Sequence, residues 1–232
     1  MRKSHLTFLR FCLLLTCLTW GISSTLAQTA PSAKEIAGFS GLHAAAHNGE
    51  LATLQRLVAE GVDLEARDRN GRTPLHVAAF ASRYDTVRAL IESGADPNAM
   101  DNQAYDILTI AAVTNDLQMV DLALKLGASV KNITSPYDGT ALIAAAHLGY
   151  VAVVEQLIAG GAPLDHVNNL GWTALMEAVV LGDGGENYVK LVDALVAAGA
   201  DKSISDNNGV TPIWHARIRG YWELAAALEA ND

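Results

Sequence analysis

Asn70-Gly71-Arg72-Thr73-Pro74-Leu75-His76-Val77-Ala78-Ala79 returns in altered form along most of this 232-residue chain. Its threonine slot is filled by Ser40, Thr73, Asp106, Thr140, Thr173 and Thr211, in steps of 33, 33, 34, 33 and 38 residues. Twenty-one residues after the slot, the first four units reach Gly61, Gly94, Gly127 and Gly161. The fifth reaches Gly199 after twenty-six, so five extra residues inside it account for the long last step. One array with one insertion follows. A repeated unit cannot bury its apolar face alone; it must stack on its neighbours, and a stack works through an extended surface.

Each slot has a physical reason. Thr73 before Pro74 reads as an N-cap and first helical position, where the missing proline N–H costs nothing. Leu75, Val77 and the small pair Ala78-Ala79 predict a short first helix that neighbours can approach closely. Val87, Leu90 and Ile91 then fall on one face of a second helix. That face recurs as Leu54/Leu57/Val58, Val120/Ala123/Leu124, Val154/Leu157/Ile158 and Val192/Leu195/Val196. Gly94 suits the left-handed end of that helix. Ala95-Asp96-Pro97-Asn98-Ala99 leads into a turn at Asp101-Asn102.

These residues resemble the ankyrin repeat, most closely from Gly71 through Thr73-Pro74-Leu75-His76 to Gly94-Ala95-Asp96. The resemblance covers roughly 36–232 and implies an all-α solenoid of about six helix–turn–helix units joined by β-hairpin-like turns. The units lie near 36–69, 70–102, 103–136, 137–169, 170–207 and 208–232. Departures are local: Ser40-Gly41 replaces Thr-Pro in the first unit, and Asp106-Ile107 with Thr109 fills the third. The sixth has Trp214 at the histidine slot. The last two units resemble bacterial ankyrin proteins. Bacterial proteins of this exported kind are associated with adaptor, protective and immunity roles.

Arg2, Lys3 and Arg10, the apolar run from Phe11 to Ile22 and Thr25-Leu26-Ala27 read as a cleaved export signal over 1–27. Residues 28–35 form a short leader to the array, and the expected location is the bacterial periplasm. Both cysteines, Cys12 and Cys17, lie in the signal, which excludes a thiol nucleophile or disulfide in the remainder. The net charge of −9 becomes −12 without the signal, from thirteen basic against twenty-five acidic residues. A surface that acidic repels phosphate backbones and anionic lipid, so neither nucleic acid nor membrane beyond the export signal is expected as a partner. Arg67, Arg69 and Arg72 form the one tight basic group and are expected to pair with Asp68, Glu65 and neighbouring acids.

Catalytic signals are weak. The ankyrin resemblance implies that His43 and His76 bond backbone and cap groups between units. His47 and His147 lie three units apart, too far to share a metal. No His-Glu-x-x-His, Cys-x-x-Cys or phosphate loop is present. The turn carboxylates Asp101 and Asp206 are expected to accept turn N–H groups. The reading is therefore no enzyme, no cofactor and no metal.

In an ankyrin array the slot before the cap threonine and the two after the alanine pair face the concave side. Backbone geometry demands no aromatic there. The expected partner-binding row is Phe39, Arg72, Phe80, Tyr105, His147, Trp172, Leu181 and Arg219; Trp, Tyr and Arg often dominate binding energy. The insertion at Gly182–Asn187 is expected to be a glycine-loosened surface bulge, or else a second contact site. The sequence thus predicts a monomeric, non-enzymatic scaffold that binds another protein, a periplasmic enzyme or toxin among the candidates. The alternatives are a small-molecule or metal-dependent enzyme using a histidine–carboxylate site, and a secreted effector.

Overall fold

A helix begins wherever the repeat supplies its cap. The computed structural model describes residues 30–230, and among these it contains thirteen helices and no strand. The export signal expected over 1–27 lies outside the described residues. Helix α1 (Ala33–Ala37) precedes the array. Pairs follow in order: α2 (Gly41–Asn48) with α3 (Leu51–Ala59), α4 (Pro74–Phe80) with α5 (Tyr84–Glu92), and α6 (Ile107–Val113) with α7 (Leu117–Lys125). The second half holds α8 (Ala141–His147) with α9 (Val151–Ala159), α10 (Ala174–Leu181) with α11 (Glu186–Ala197), and α12 (Pro212–Arg219) with α13 (Trp222–Glu229). First helices pack on first helices and second on second, giving two parallel rows. The connections between units are turns. Their one ladder-like contact is an isolated antiparallel bridge between Thr134 and Gly139, so the hairpins implied by the repeat carry no strands here.

The threonine slot caps as its chemistry suggests. Thr73, Asp106, Thr140 and Thr173 accept the N–H of the residue three further on. At the two ends of the array, Ser40 and Thr211 head their helices without such a bond. The second-helix faces form the core: Leu54, Val87, Val120, Val154 and Val192 are all fully buried. Gly94 follows α5 at φ 106°, in the left-handed region that a side chain would strain. Asp101 and Asp206 each accept two turn N–H groups through one carboxylate oxygen.

Histidine ties unit to unit. His76 is buried; its Nδ1 accepts the Thr73 N–H at 3.2 Å and its Nε2–H donates to the Tyr105 carbonyl at 3.0 Å. His43 reaches the Arg72 carbonyl in the same way at 3.0 Å. These bonds hold His76 as the neutral Nε2–H tautomer, and burial lowers its proton affinity below the ordinary 6.5. The unfolded chain then binds more protons than the folded one in mildly acidic solution, and stability falls as the pH drops through 6.5. Replacing His76 by Thr, the residue that Thr109 supplies in the third unit, should flatten that fall between pH 7 and 5. Urea unfolding at several pH values checks it; an unchanged slope in the variant places the titration elsewhere.

Candidate functional site

The turns lie beside the first-helix row, because His43 and His76 bond across to turn-base carbonyls. The structure treats the eight expected partner-binding residues unequally. Phe39 is half-buried, its ring centroid 5.9 Å from His43 and 6.1 Å from His47. Phe80 is half-buried against the core, and Trp172 is half-buried with its backbone pinned to Asn168.

Arg72 and Tyr105 are corrections. Arg72 is 3 % exposed, with Nε 2.8 Å from Asp68 Oδ2 and a terminal nitrogen 3.0 Å from Glu35 Oε1. Tyr105 is 5 % exposed, and burial raises the pKa of its hydroxyl. Neither side chain is presented to a partner. The slot before the threonine sits at the base of its turn, where a neighbouring element can cover it. For Arg72 that element is α1. Ser32 and Glu35 form a capping box that starts this helix, and Glu35 then binds Arg69, Asn70 and Arg72. Arg69 and Arg72 are therefore pinned by Glu35 and Asp68, whereas Arg67 donates to the Gly71 and Met100 carbonyls. Glu65 instead accepts the Asp96 N–H. The Ser32-x-x-Glu35 spacing was the signal in the sequence for this helix.

His147, Leu181 and Arg219 are open, all in the last three units. His147 Nδ1 donates to Glu177 Oε2 at 3.1 Å, while Asn168 donates to Glu177 Oε1 at 3.0 Å. Glu177 is itself 4 % exposed. One unit on, His215 Nε2–H donates to Asp206 Oδ2 at 2.9 Å, and Arg219 donates to His215 Nδ1 at 3.0 Å. The Val210 N–H and His215 hold the Asp206 carboxyl down to about 2. Glu177 and His215 share a slot filled by Ala44, Val77, Ile110 and Ala144 in the earlier units. Superposing the units therefore exposes both as departures, although neither stands in the expected row. In both chains every imidazole and carboxylate serves a neighbour within the fold. Among the described residues no group of three or more His, Cys, Asp or Glu could hold a metal ion.

The insertion is also firmer than its composition suggests. Of its five residues, one lengthens α10 relative to α4, one the connection, and three α11 relative to α5. Tyr221 donates to the Gly182 carbonyl at 3.3 Å. A Cβ on Gly184 would lie 2.5 Å from the Tyr221 ring, and one on Gly182 would lie 2.7 Å from Tyr188. The glycines permit tyrosines to close over the loop.

The comparisons agree with this architecture. The family profile described as ankyrin repeats (3 copies) matches residues 15–101 and 108–206. The putative ankyrin repeat protein YahD of Escherichia coli is 33 % identical over 187 residues, which cover 80 % of this chain and 92 % of the relative. An ankyrin repeat domain from Acinetobacter baumannii superposes with a TM-score of 0.78 at 42 % identity, covering 82 % of this chain and 96 % of that one. A chain from the complex of the Bdellovibrio bacteriovorus predatory endopeptidase Bd0816 with immunity protein Bd3460 superposes with a TM-score of 0.69 at 27 % identity. There the shares are 84 % and 99 %.

Proposed function

The chain belongs to the ankyrin repeat family, and on that premise we propose that it is a non-enzymatic protein-binding scaffold of the bacterial periplasm. It serves as an adaptor, protective or immunity partner of another protein. The partner sits on the turn-side face of units four to six. The observation that carries this reading is the pair Leu148 and Leu181, each 38 % exposed at the same slot of consecutive units. Asn48, Ala81 and Thr114 fill that slot earlier in the array. His147 and Arg219 flank the leucines with polar groups, and Trp172 stands at the neighbouring turn base. Exposed apolar side chains with polar neighbours mark interaction sites more often than scattered single ones do. At the other end of the array, the turn-base slot that Trp172 fills is closed at Arg72 by Glu35.

Two further observations support the finer parts. The export signal read over 1–27 supports the periplasm. The similarity to a chain from an endopeptidase–immunity protein complex supports the protective class. The test captures partners from periplasmic extract with the tagged chain. The double variant Leu148→Asp/Leu181→Asp should lose its partner roughly tenfold or more, the scale of a small hot spot. Thr114→Asp, at the same slot two units away from Leu181, should keep it. Equal recovery by the folded double variant would place the contact on another surface.

A further inference from the structure

The last unit departs from the others on the side facing away from the stack. The third residue after the threonine slot is buried between units at His76, Thr109, Ile143 and Met176. In α12 this residue is Trp214, 55 % exposed. The first residue of α5, Tyr84, donates to Asp116 in the next unit at 3.1 Å. Its counterpart in α13 is Trp222, 69 % exposed. Ile218 completes the surface at 73 %. Two tryptophans and an isoleucine thus stand where interior units receive the next helix pair.

A further repeat does not fit there. Ala46, Ala79, Ala112 and Ala146 are buried at a slot where first helices approach closely, and Val179 fills it in the fifth unit. The sixth unit places Arg217 at this slot, exposed, with its guanidinium 5.5 Å from the Trp214 ring centroid and paired to Glu229 of α13. An arginine laid across the alanine slot holds another helix pair away, since interiors close only over side chains of matched volume.

We propose that this face is the docking surface for a second copy of the chain, with α12 and α13 of one copy set two-fold against the same helices of the other. The surface is self-complementary: each copy offers apolar rings, one cation at Arg217 and one anion at Glu229. A two-fold axis brings the Arg217 of each copy toward the Glu229 of the other, and isologous pairing closes after two subunits. Taking about 200 Å² for a large side chain, the three exposures leave roughly 400 Å² of apolar surface on each copy. Covering it twice over, with the flanking charged pair, brings the contact near the roughly 1,000 Å² lower bound for a specific interface. The dimer is therefore weak and reversible. It adds to the monomer expected from the sequence and rests on side chains other than those named for the turn-side groove.

Sedimentation of the purified full chain tests this from a few micromolar to about a millimolar, the span in which a small, reversible interface associates. The mass should rise from one copy to two. Ile218→Asp should remain monomeric throughout with unchanged circular dichroism, whereas Leu148→Asp should associate like the parent. Arg217→Glu and Glu229→Arg should each associate poorly alone and well when mixed, because only the mixed pair restores both cross-copy contacts. A monomer at every concentration overturns the proposal, as does association that survives Ile218→Asp. Failure of the mixed variants to associate overturns the two-fold arrangement and the proposal with it.

Discussion

Arg72→Ala is expected to lower the unfolding free energy by about 3 kcal/mol, the low end for breaking a buried ion pair by removing one partner. The low end applies because Asp68 and Glu35 retain 12 % and 15 % side-chain exposure and can partly rehydrate, while Arg72 keeps only 3 %. The loss has two parts. Asp68 keeps its turn N–H donors from Asn70 and Arg72 but loses the guanidinium. Glu35 keeps Ser32, Asn70 and the exposed Arg69 yet loses the buried charge that helps draw α1 onto the array. Arg72→Met should recover packing without charge and fall between the two. An acid titration separates the parts. Its hydrogen bonds with Ser32, and then Asn70 and Arg72, hold the Glu35 carboxyl well below its ordinary 4.5 against burial. Burial raises Asp68, but the backbone and guanidinium of Arg72 outweigh it and lower the carboxyl below 3.8. Both groups bind fewer protons folded than unfolded, so the stability they add is complete above those ordinary values and drains away below them. The parent should therefore lose more stability than Arg72→Ala between pH 5 and 2. A measured cost under about 1 kcal/mol would make the pair no better than a surface one.

The array was legible because its determinants are local. A cap hydroxyl, an alanine pair, a heptad-like face and a left-handed glycine each act within a few residues, and each recurs at Thr73, Ala78-Ala79, Val87/Leu90 and Gly94. Exposure is set between units, and there the reading failed in particular places. Arg72 and Tyr105 occupy a slot whose openness depends on what the preceding and following elements lay over it. Nothing in their own neighbourhood encodes α1. The glycines of the insertion suggested looseness until Tyr188 and Tyr221, six and thirty-nine residues beyond Gly182, closed on them. Glu177 and His215 were visible only as polar residues at a slot that is otherwise apolar, a contrast that needs the units laid over one another. Trp214 marks the same lesson in reverse: at an interior slot it would be core, and at the last unit it is surface.

That dependence on neighbours sets the expected behaviour of a cavity in the middle of the stack. Leu142 is fully buried in α8, which packs on α6, α9 and α10. Leu142→Ala should cost about 3 kcal/mol, the transfer loss plus an incompletely collapsed cavity. In a stacked array each unit is coupled only to its neighbours, so weakening the fourth unit also uncouples the units on either side. The tryptophans make this visible. Trp172, Trp214 and Trp222, the tryptophans among the described residues, all lie in units five and six. Fluorescence therefore follows the end of the array whose terminal face is open, while far-ultraviolet circular dichroism follows every helix. In the parent the two urea transitions should coincide. In Leu142→Ala the fluorescence transition should move to lower urea than the dichroism transition, because units five and six lose the support of unit four. Leu75→Ala, equally buried but in the second unit, should cost a similar amount while leaving fluorescence the later of the two. Coincident transitions in Leu142→Ala would mean that the array melts as one body whatever happens at its centre. The exposed face of α12 and α13 would then share the stability of the whole chain.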